Sequence, residues 1–415
     1  MRRAWPLTAR GTGAVLLAVA CFIAANEAGL VELVYFGALL LIAVAASLGS
    51  LYLTRHAETV TRTLYPDVAT VGREAQVSVR AGVRTAVPTP PGTWRDVLPR
   101  GLSGSAEGVF PALGSGLSRN ERIIDLSYTV QGAARGVHAL GPLTVRATDP
   151  FGLARRTTVF GERTPVTVVP STTDLPPLAD FAGETGGSLH TTTNQLGQGA
   201  DNLVARPYEP GDSMRRIHWR ATAHRDQLMV RQEEQESTPE ASVVLDRGVL
   251  RWSMDAMRAP GADPGFEAGV SAAVSAVARL VRDGYAVEVL DSDGTVLAER
   301  IDGGDMDEVE IFLTHVATLT ARRDDTLGKL PRVFAGVMTG PVIVVVGRFD
   351  AADAVTIGPV AHHSTLPMLF SVMPVGDALE RAADAGWRIG AIDVDGDFSR
   401  AWSGAAGRGV RHVVG

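Results

Sequence analysis

Residues 341–346 read Pro-Val-Ile-Val-Val-Val, an apolar run that no polar residue interrupts. Such a run is typical of a strand that is covered on both faces, as in a parallel sheet. Similar short apolar runs occur at 242–245 and 286–290, and further strands are predicted at 366–373 and 387–392. We therefore expect these strands to form a sheet with two buried faces.

Segments with helical periodicity separate these strands. Apolar residues recur at helical spacing from Phe266 to Val281 and from Met306 to Leu319, and an Ala-rich helix is expected near 376–385. Alternating strands and helices predict an open, mostly parallel α/β sheet. We place this α/β domain at residues 236–415.

Residues 56–170 show a different pattern, in which apolar and polar side chains alternate along runs that Gly and Pro interrupt. Val77 and Val79 alternate with polar neighbours, and the same habit recurs at 124–130 and 143–147. Because alternation with period two predicts half-buried antiparallel strands, we expect a small β-sandwich-like domain here.

Three segments near this domain lack such periodicity. Residues 88–119 are rich in Pro, Gly and Ser and are predicted to form a long loop. Asp149-Pro-Phe-Gly-Leu153 is a turn by its residue types, and we expect Phe151 to plug the core beneath it. Residues 171–200 read as a linker, so that 171–235 comprises this linker and a compact motif that follows it.

The N-terminal segment, residues 1–55, contains two uncharged apolar runs joined by a short acidic turn. A membrane span needs about 20 apolar residues; the second run meets this length clearly and the first is marginal. We predict transmembrane helices at about 11–28 and 32–54. Arg residues flank the outer ends of the pair, at positions 2, 3, 10, 55 and 62. The positive-inside rule then predicts a multi-pass protein of the inner membrane with both ends in the cytoplasm.

A cleaved signal peptide is the alternative for the first run, since a charged start and a short apolar core are its pattern. The second run would then still enter from outside and leave Arg55 inside. Either arrangement places the body of the protein, from residue 56 onward, in the cytoplasm.

Composition narrows the classes of partner. A length of 415 residues suits two or three domains, and a net charge of −7 gives no basic footprint for nucleic acid. Cys21 is the only cysteine, so that an intrachain disulfide is impossible and a reducing compartment is expected for the soluble part.

The motif at 206–231 combines a Glu-Pro-Gly-Asp turn with a cluster of Arg, His and Trp. If this segment is extended, Ile217 and Trp219 share one face. They are then either core anchors, with the Arg residues paired to nearby acids, or part of a binding surface for an acidic partner. The candidate interface residues are Arg206, Tyr208, Pro210, Gly211, Asp212, Arg216, His218, Trp219 and Arg231.

Asp246 is a second candidate, because it follows the first strand of the α/β domain, where open sheets place ligand groups. A carboxylate there holds a hard cation when neighbouring hydroxyls complete an oxygen shell. The next residues, Arg247-Gly-Val-Leu250, offer a cation and no hydroxyl. We expect Asp246 to pair with an Arg or to cap the backbone, and we predict no metal.

No catalytic constellation accompanies these residues. His218 and His224 lack a nucleophile and an orienting carboxylate at a recognisable spacing, and no phosphate-binding loop or paired C-x-x-C motif occurs. Residues 393–397 begin like a calcium loop that the following residues do not complete, and Asp291-Ser-Asp-Gly294 reads as a hairpin turn. We predict that the protein is not an enzyme and uses no cofactor.

Together these motifs resemble the bacterial domain-of-unknown-function 58 (DUF58) family. The matching marks are Arg135-Gly136, Leu140-Gly-Pro142, Asp149-Pro-Phe-Gly-Leu153, Arg206, Tyr208, Pro210-Gly-Asp212, Arg216-Ile-His-Trp219, Ala221-Thr-Ala223 and Leu228-Met-Val-Arg231.

The resemblance implies a membrane-anchored protein with a von Willebrand factor A-like C-terminal domain. It also implies association with a MoxR-type AAA+ ATPase and with a transglutaminase-like membrane protein. Gly248 and Leu250 stand where the metal-binding pattern of such domains has serines, which argues against a metal at Asp246. The leading hypothesis is a non-catalytic adaptor or scaffold. The alternatives are a metal-dependent receptor or enzyme that uses Asp246 with Asp212 or His218, and a structural component of envelope assembly.

Overall fold

The computed structural model describes residues 5–53, 59–83, 90–112, 122–178, 203–208, 214, 217–225, 227–233 and 239–407. For Leu53, Arg122, 203–206 and 231–233 only the backbone is described. The chain divides into two compact units. The first is Met1–Ser171 with the short segments Ala259–Ala262 and Thr314–Leu319, and the second is Thr172–Arg258, Asp263–Leu313 and Thr320–Gly415.

The first unit begins with two apolar helices, α1 (Ala9–Ala28) and α2 (Val31–Leu53). Thr8 caps α1, since its hydroxyl oxygen accepts a hydrogen bond from the N–H of Gly11 at 3.1 Å. Gly29 ends α1 in the left-handed region, with φ of 68°. Both helices are long and apolar enough to cross a membrane, and their bounds lie within two residues of those predicted.

Short strands make up the rest of the first unit. They are β1 (Val60–Tyr65), β2 (Ala69–Thr70), β3 (Glu74–Val83), β4 (Gly92–Asp96), β5 (Leu102–Gly104), β6 (Glu107–Phe110), β7 (Arg122–Gly132), β8 (Gly136–Leu140), β9 (Leu143–Thr148), β10 (Arg155–Phe160) and β11 (Thr164–Val169). They form sheets of order β1-β3-β7-β5, β10-β9-β4-β6 and β2-β11-β8. All pairings are antiparallel except that of β2 with β11.

The inward faces of these strands form one core, which contains Val77, Val79, Trp94, Leu126 and Val145. The predicted alternation in β3, β7 and β9 is therefore confirmed. The prediction of a long loop over 88–119 is wrong for its described part, because β4, β5 and β6 lie there. Trp94 and Phe110 are buried among the Gly, Pro and Ser residues that suggested a loop.

A buried ion pair crosses this core. The guanidinium of Arg62 donates to both carboxylate oxygens of Asp96, from Nε at 2.9 Å and from Nη2 at 3.0 Å. The hydroxyl of Tyr128 donates to the same carboxylate at 2.8 Å. The Arg62 and Asp96 side chains are 2% and 0% exposed, so that each charge depends on its partner for compensation.

Arg135, from one of the motifs that carry the resemblance, is a second buried cation of this unit. It is 0% exposed and donates hydrogen bonds to the carbonyl oxygens of Val316 and, at 2.6 Å, Leu319. Both acceptors lie in the Thr314–Leu319 segment that belongs to this unit. Carbonyl oxygens thus solvate a charge that water does not reach.

The second unit contains a hairpin and an α/β sheet. Its strands are β12 (Leu203–Pro207), β13 (Met229–Glu233), β14 (Glu240–Leu245), β15 (Ala286–Asp291), β16 (Val296–Ile301), β17 (Thr339–Phe349), β18 (Ser364–Pro374) and β19 (Arg388–Ala391). Its helices are α3 (Trp219–Arg225), α4 (Pro264–Arg282), α5 (Met306–Val316, whose last three residues belong to the first unit), α6 (Leu330–Val333), α7 (Ala351–Ile357), α8 (Ala378–Asp384) and α9 (Phe398–Ala406).

The α/β sheet has the order β16-β15-β14-β17-β18-β19. The pairings of β14 with β15 and β17, of β17 with β18, and of β18 with β19 are parallel. The β15–β16 pairing is antiparallel, which is the hairpin that Asp291-Ser-Asp-Gly294 predicts. Residues 342–346 of β17 are all 0% exposed, because helices cover both faces of the central strand.

Candidate functional site

The motif at 206–231 forms a hairpin and a short helix. Strands β12 and β13 pair in antiparallel register, and Tyr208 continues the ladder by donating its N–H to Leu228 at 2.8 Å. Ile217 bridges to Val230, and the N–H of His218 donates to the carbonyl of Met229 at 2.7 Å. The chain therefore returns against β13 just before α3 begins.

Ile217 and Trp219 lie in different environments. Ile217 is 5% exposed and anchors the segment, whereas Trp219 is 68% exposed. The expectation that both share one face is wrong, because α3 begins at Trp219 and helical rotation replaces the alternation of an extended chain. Ile217 is therefore a core anchor, as the first of the two alternatives expects, and Trp219 is not.

Other apolar side chains of the motif are also exposed. Met214 is 63% exposed and Leu228 is 40% exposed, while Tyr208 is half-buried. The backbones of Arg206 and Arg231 lie in β12 and β13, where they belong to the paired part of the hairpin. Pro210, Gly211, Asp212 and Arg216 lie outside the described residues, so that their place in the interface stays a prediction.

His218 contributes to the local backbone structure. Its Nδ1 accepts a hydrogen bond from the N–H of Ala221 at 3.1 Å, and its carbonyl accepts from the N–H groups of Ala221 and Thr222 at 3.0 Å. The Thr222 hydroxyl oxygen in turn accepts from the N–H of Met229 at 3.0 Å. These contacts hold the first turn of α3 against β13.

A second group of polar residues lies at the carboxyl ends of adjacent parallel strands. Leu245 of β14 pairs with Asp291 of β15, so that Asp246 and Asp291 emerge at the same edge of the sheet. Both carboxylates are 0% exposed. This edge is where an open parallel sheet places its ligand groups.

The Asp246 carboxylate is held by a hydroxyl and a guanidinium. Oδ1 accepts from Ser292 Oγ at 2.7 Å, and Oδ2 lies 3.5 Å from Nε of Arg251. Burial raises the pKa of Asp246 to about 6, although the Ser292 hydrogen bond and the Arg251 charge act in the opposite direction. The predicted pairing of Asp246 with an Arg is confirmed by this contact.

Arginines also neutralise the neighbouring acids. Arg251 binds Asp353 at 2.6 Å and Asp325 at 3.2 Å. Arg322 lies 3.2 Å from Oδ2 of Asp291 and 2.7 Å from Asp293. Guanidinium groups thus supply, on both buried carboxylates, the positive charge that a bound cation would otherwise provide.

Two hydroxyls complete an oxygen-lined centre. Ser292 Oγ lies 2.6 Å from Oγ1 of Thr326 and 3.3 Å from Oδ1 of Asp291. Carboxylate and hydroxyl oxygens suit Mg²⁺ or Ca²⁺ by chemistry. Within the described ranges, however, no three His, Cys, Asp or Glu side chains are grouped to hold a metal ion.

Comparisons with known proteins address this same part of the chain. A family model described as "Protein of unknown function DUF58" matches residues 204–252. No curated protein matches the chain. The matched residues, 204–252, include most of the described hairpin, α3, β14 and the Asp246–Arg251 pair.

Two solved proteins are similar to parts of the chain. A von Willebrand factor type A structure from Catenulispora acidiphila is 14% identical, with a TM-score of 0.30, over 41% of this chain and 42% of that one. The chain thus spans less than half the length of that structure. The solution structure of the CARDB domain of PF1109 from Pyrococcus furiosus has 16% sequence identity and a TM-score of 0.18. The match covers 28% of this chain and 97% of that domain. Its crystal structure with di-metal ions is 15% identical and has the same TM-score.

The sequence patterns missed the hydroxyls and two of the arginines around Asp246. Gly248 and Leu250 take the places of the two serines of the metal-binding pattern, whereas Ser292 and Thr326 come from later loops. Ser292 follows β15 directly, so that the rule which selected Asp246 could have selected it too. Thr326, Arg251 and Arg322 lie in irregular segments or short turns, where periodicity gives no placement.

Proposed function

We propose that this chain is a membrane-anchored, non-catalytic adaptor or scaffold on the cytoplasmic face of the inner membrane. In this proposal α1 and α2 hold the chain in the bilayer, and its C-terminal unit is a von Willebrand factor A-like domain. The partner is a MoxR-type AAA+ ATPase, alone or with a transglutaminase-like membrane protein. The DUF58 resemblance motivates the choice of partner.

The membrane anchor is supported by the surface of the two helices. Leu16, Leu39 and Ile42 are 66%, 62% and 65% exposed on helices of 20 and 23 residues. Exposed leucine and isoleucine side chains along two neighbouring helices are unfavourable in water and favourable in a bilayer core. The Arg residues near the outer ends of the pair favour a cytoplasmic placement of those ends.

The observation that carries the adaptor proposal is the exposure of Trp219. Tryptophan is the side chain most enriched at binding hot spots, because it buries a large area at little cost in conformational entropy. Trp219 stands 68% exposed next to an Ile that is buried, in the segment that the family model matches. We propose that the exposed side chains of this motif, Met214, Trp219 and Leu228, contact the protein partner.

The chemistry around Asp246 supports a binding role rather than catalysis. Both buried carboxylates at the strand ends are paired with guanidinium groups, and His218 is engaged by the backbone. None of the described contacts joins a nucleophile, a base and an orienting acid in the order that covalent catalysis requires.

The partner proposal predicts that Trp219→Ala abolishes capture of the ATPase. Tagged full-length protein is recovered from membranes of the native cell, and the captured proteins are identified by mass spectrometry. Loss of a hot spot of about 2 kcal/mol lowers recovery about 30-fold. Val355→Ala, which alters a side chain that is 72% exposed elsewhere in the same unit, is the control and retains capture.

If no AAA+ ATPase is captured with either the wild type or the Val355→Ala control, the proposal that the partner is such an ATPase is contradicted. That result favours the structural envelope-assembly role, which differs from the adaptor in lacking the ATPase.

A metal-dependent receptor or enzyme is the second candidate, and one observation favours it. Oδ2 of Asp246 and Oδ2 of Asp291 are buried and accept no hydrogen bond, only the ion-pair contacts of the arginines. Calorimetric titration of the full-length protein with Mg²⁺ decides between the candidates. We expect no heat of binding beyond that of Asp246→Asn, whereas saturable heat lost in Asp246→Asn establishes the metal site.

A further inference from the structure

The Asp149-Pro-Phe-Gly-Leu153 turn is bound to the start of α1. The Thr8 hydroxyl donates to the carbonyl of Gly152 at 2.6 Å, and the Thr8 N–H donates to the carbonyl of Leu153 at 3.0 Å. The approach is so close that a Cβ on Gly11 would collide with the Leu153 carbonyl oxygen. The turn is therefore held next to the N-terminal end of α1.

Asp149 shapes the turn from inside. Its carboxylate is 2% exposed and accepts hydrogen bonds from the N–H of Phe151 at 2.9 Å and from the N–H of Ala154 at 2.6 Å. Phe151 itself is 69% exposed. The expectation that Phe151 plugs the core is wrong, because the carboxylate holds the turn by its backbone and the ring stays outside.

The strand that follows the turn is bound to the end of α2. Arg156 Nη1 donates to the carbonyl of Leu51 at 2.8 Å, and its guanidinium lies over the ring of Tyr52, 4.7 Å from the centroid. Arg155 donates its N–H to the carbonyl of Pro6 at 2.8 Å and its Nε to the carbonyl of Trp5 at 3.3 Å. The C-terminal end of α2 and the residues that precede α1 thus both contact β10.

Three aromatic rings are exposed at this junction. Trp5, Tyr52 and Phe151 are 63%, 66% and 69% exposed, and each adjoins an end of a helix that is apolar enough to span a membrane. Aromatic side chains are enriched at the two interfaces of a bilayer, where apolar rings meet polar headgroups. The exposed Arg10 and the half-buried Arg155 and Arg156 add positive charge at the same level.

We propose that the 149–153 turn is a lipid-binding element that dips Phe151 into the headgroup layer of the bilayer. Trp5 and Tyr52 lie at the same depth, and Arg10, Arg155 and Arg156 bind phospholipid phosphates. The proposal rests on the membrane anchoring proposed above, since the helix ends set the depth. Continuity of the aromatic surface with the spanning helices selects a bilayer as its occupant, and the phosphate groups complement the arginines.

Site-directed spin labelling of the full-length protein in vesicles tests this proposal. Cys21, the only cysteine, is replaced by Ala, and a single cysteine is introduced at Phe151, Val109 or Leu39 and labelled with a nitroxide. Val109 is 71% exposed in the same unit and is the matched control, and Leu39 reports on the middle of α2. The vesicles contain phosphatidylcholine with phosphatidylglycerol, and collision rates with oxygen and with a water-soluble nickel chelate are measured.

The expected result is that the Phe151→Cys label gains oxygen collisions and loses nickel collisions relative to the Val109→Cys label. A Phe151→Cys label as open to nickel as the Val109→Cys label, with Leu39→Cys in lipid, overturns the proposal and leaves the anchor intact. A Leu39→Cys label open to nickel overturns the anchor itself. A Phe151→Cys label shielded from both reagents indicates a protein occupant and also contradicts the proposal.

Discussion

Replacing Arg62 by alanine is expected to destabilise the β-rich part of the first unit by about 3–5 kcal/mol. Among the described residues, the substitution leaves the Asp96 carboxylate, which is 0% exposed, with the Tyr128 hydroxyl as its one side-chain donor. An uncompensated charge in the core must then be protonated or hydrated, and either requirement opposes folding.

Hydrogen exchange of the full-length protein in lipid discs measures this effect, since it resolves individual strands of a chain that is not a single two-state unit. We expect the amides of β3 and β7 to exchange at least about 100-fold faster in Arg62→Ala. Arg80→Ala is the matched control, because its pair with Asp125 is 72% exposed on both sides. The control is expected to change stability by less than about 1 kcal/mol. Equal effects of the two substitutions would refute the role assigned to burial.

Replacing Asp246 by asparagine is expected to change how the stability of the second unit depends on pH. The pKa of Asp246 is raised to about 6 in the folded protein from an ordinary value of 3.8. Its protonation therefore stabilises the fold fully below pH 3.8, and this contribution is lost as the pH rises through 6. The side-chain amide of the Asp246→Asn variant does not titrate, so the variant gains about 3 kcal/mol on the wild type between pH 4 and pH 8.

Hydrogen exchange of the β14 and β17 amides at several pH values measures the stability difference between Asp246→Asn and the wild type. Asp293→Asn is the control with the opposite sign, because the Thr295 and Arg322 contacts lower the pKa of Asp293 to about 2 against the effect of desolvation. The ionised Asp293 stabilises the fold above pH 3.8, and this contribution is lost as the pH falls through 2. The Asp293→Asn variant is therefore expected to be less stable than the wild type at neutral pH. A stability difference between Asp246→Asn and wild type that does not vary with pH would contradict the burial account.

Much of the α/β sheet could be predicted because its strands are buried on both faces. The run at 341–346 contains apolar residues alone, and it predicts the centre of β17, which is Thr339–Phe349. The periodicity from Phe266 to Val281 likewise reproduces α4, which is Pro264–Arg282. Long elements with a single dominant pattern depend little on the rest of the fold.

Short elements were harder to predict, because their placement depends on contacts with distant segments. Strands β4 to β6 are three to five residues long; β4 pairs with β9 and β6, and β5 pairs with β7. Trp219 is exposed rather than on the face of Ile217, because a helix begins at Trp219. Phe151 is exposed rather than buried in the core, because the buried carboxylate of Asp149 holds the backbone of its turn. The centre around Asp246 could be predicted in part: Asp246 and Ser292 each follow a strand, whereas Thr326, Arg251 and Arg322 do not.

Protease treatment of intact spheroplasts tests the central claim that two N-terminal helices tether the body of the chain to the cytoplasmic face of the membrane. We expect the segment from residue 59 onward to resist protease in intact spheroplasts and to be digested once the membrane is lysed. Digestion of that segment from outside, before lysis, would contradict the account.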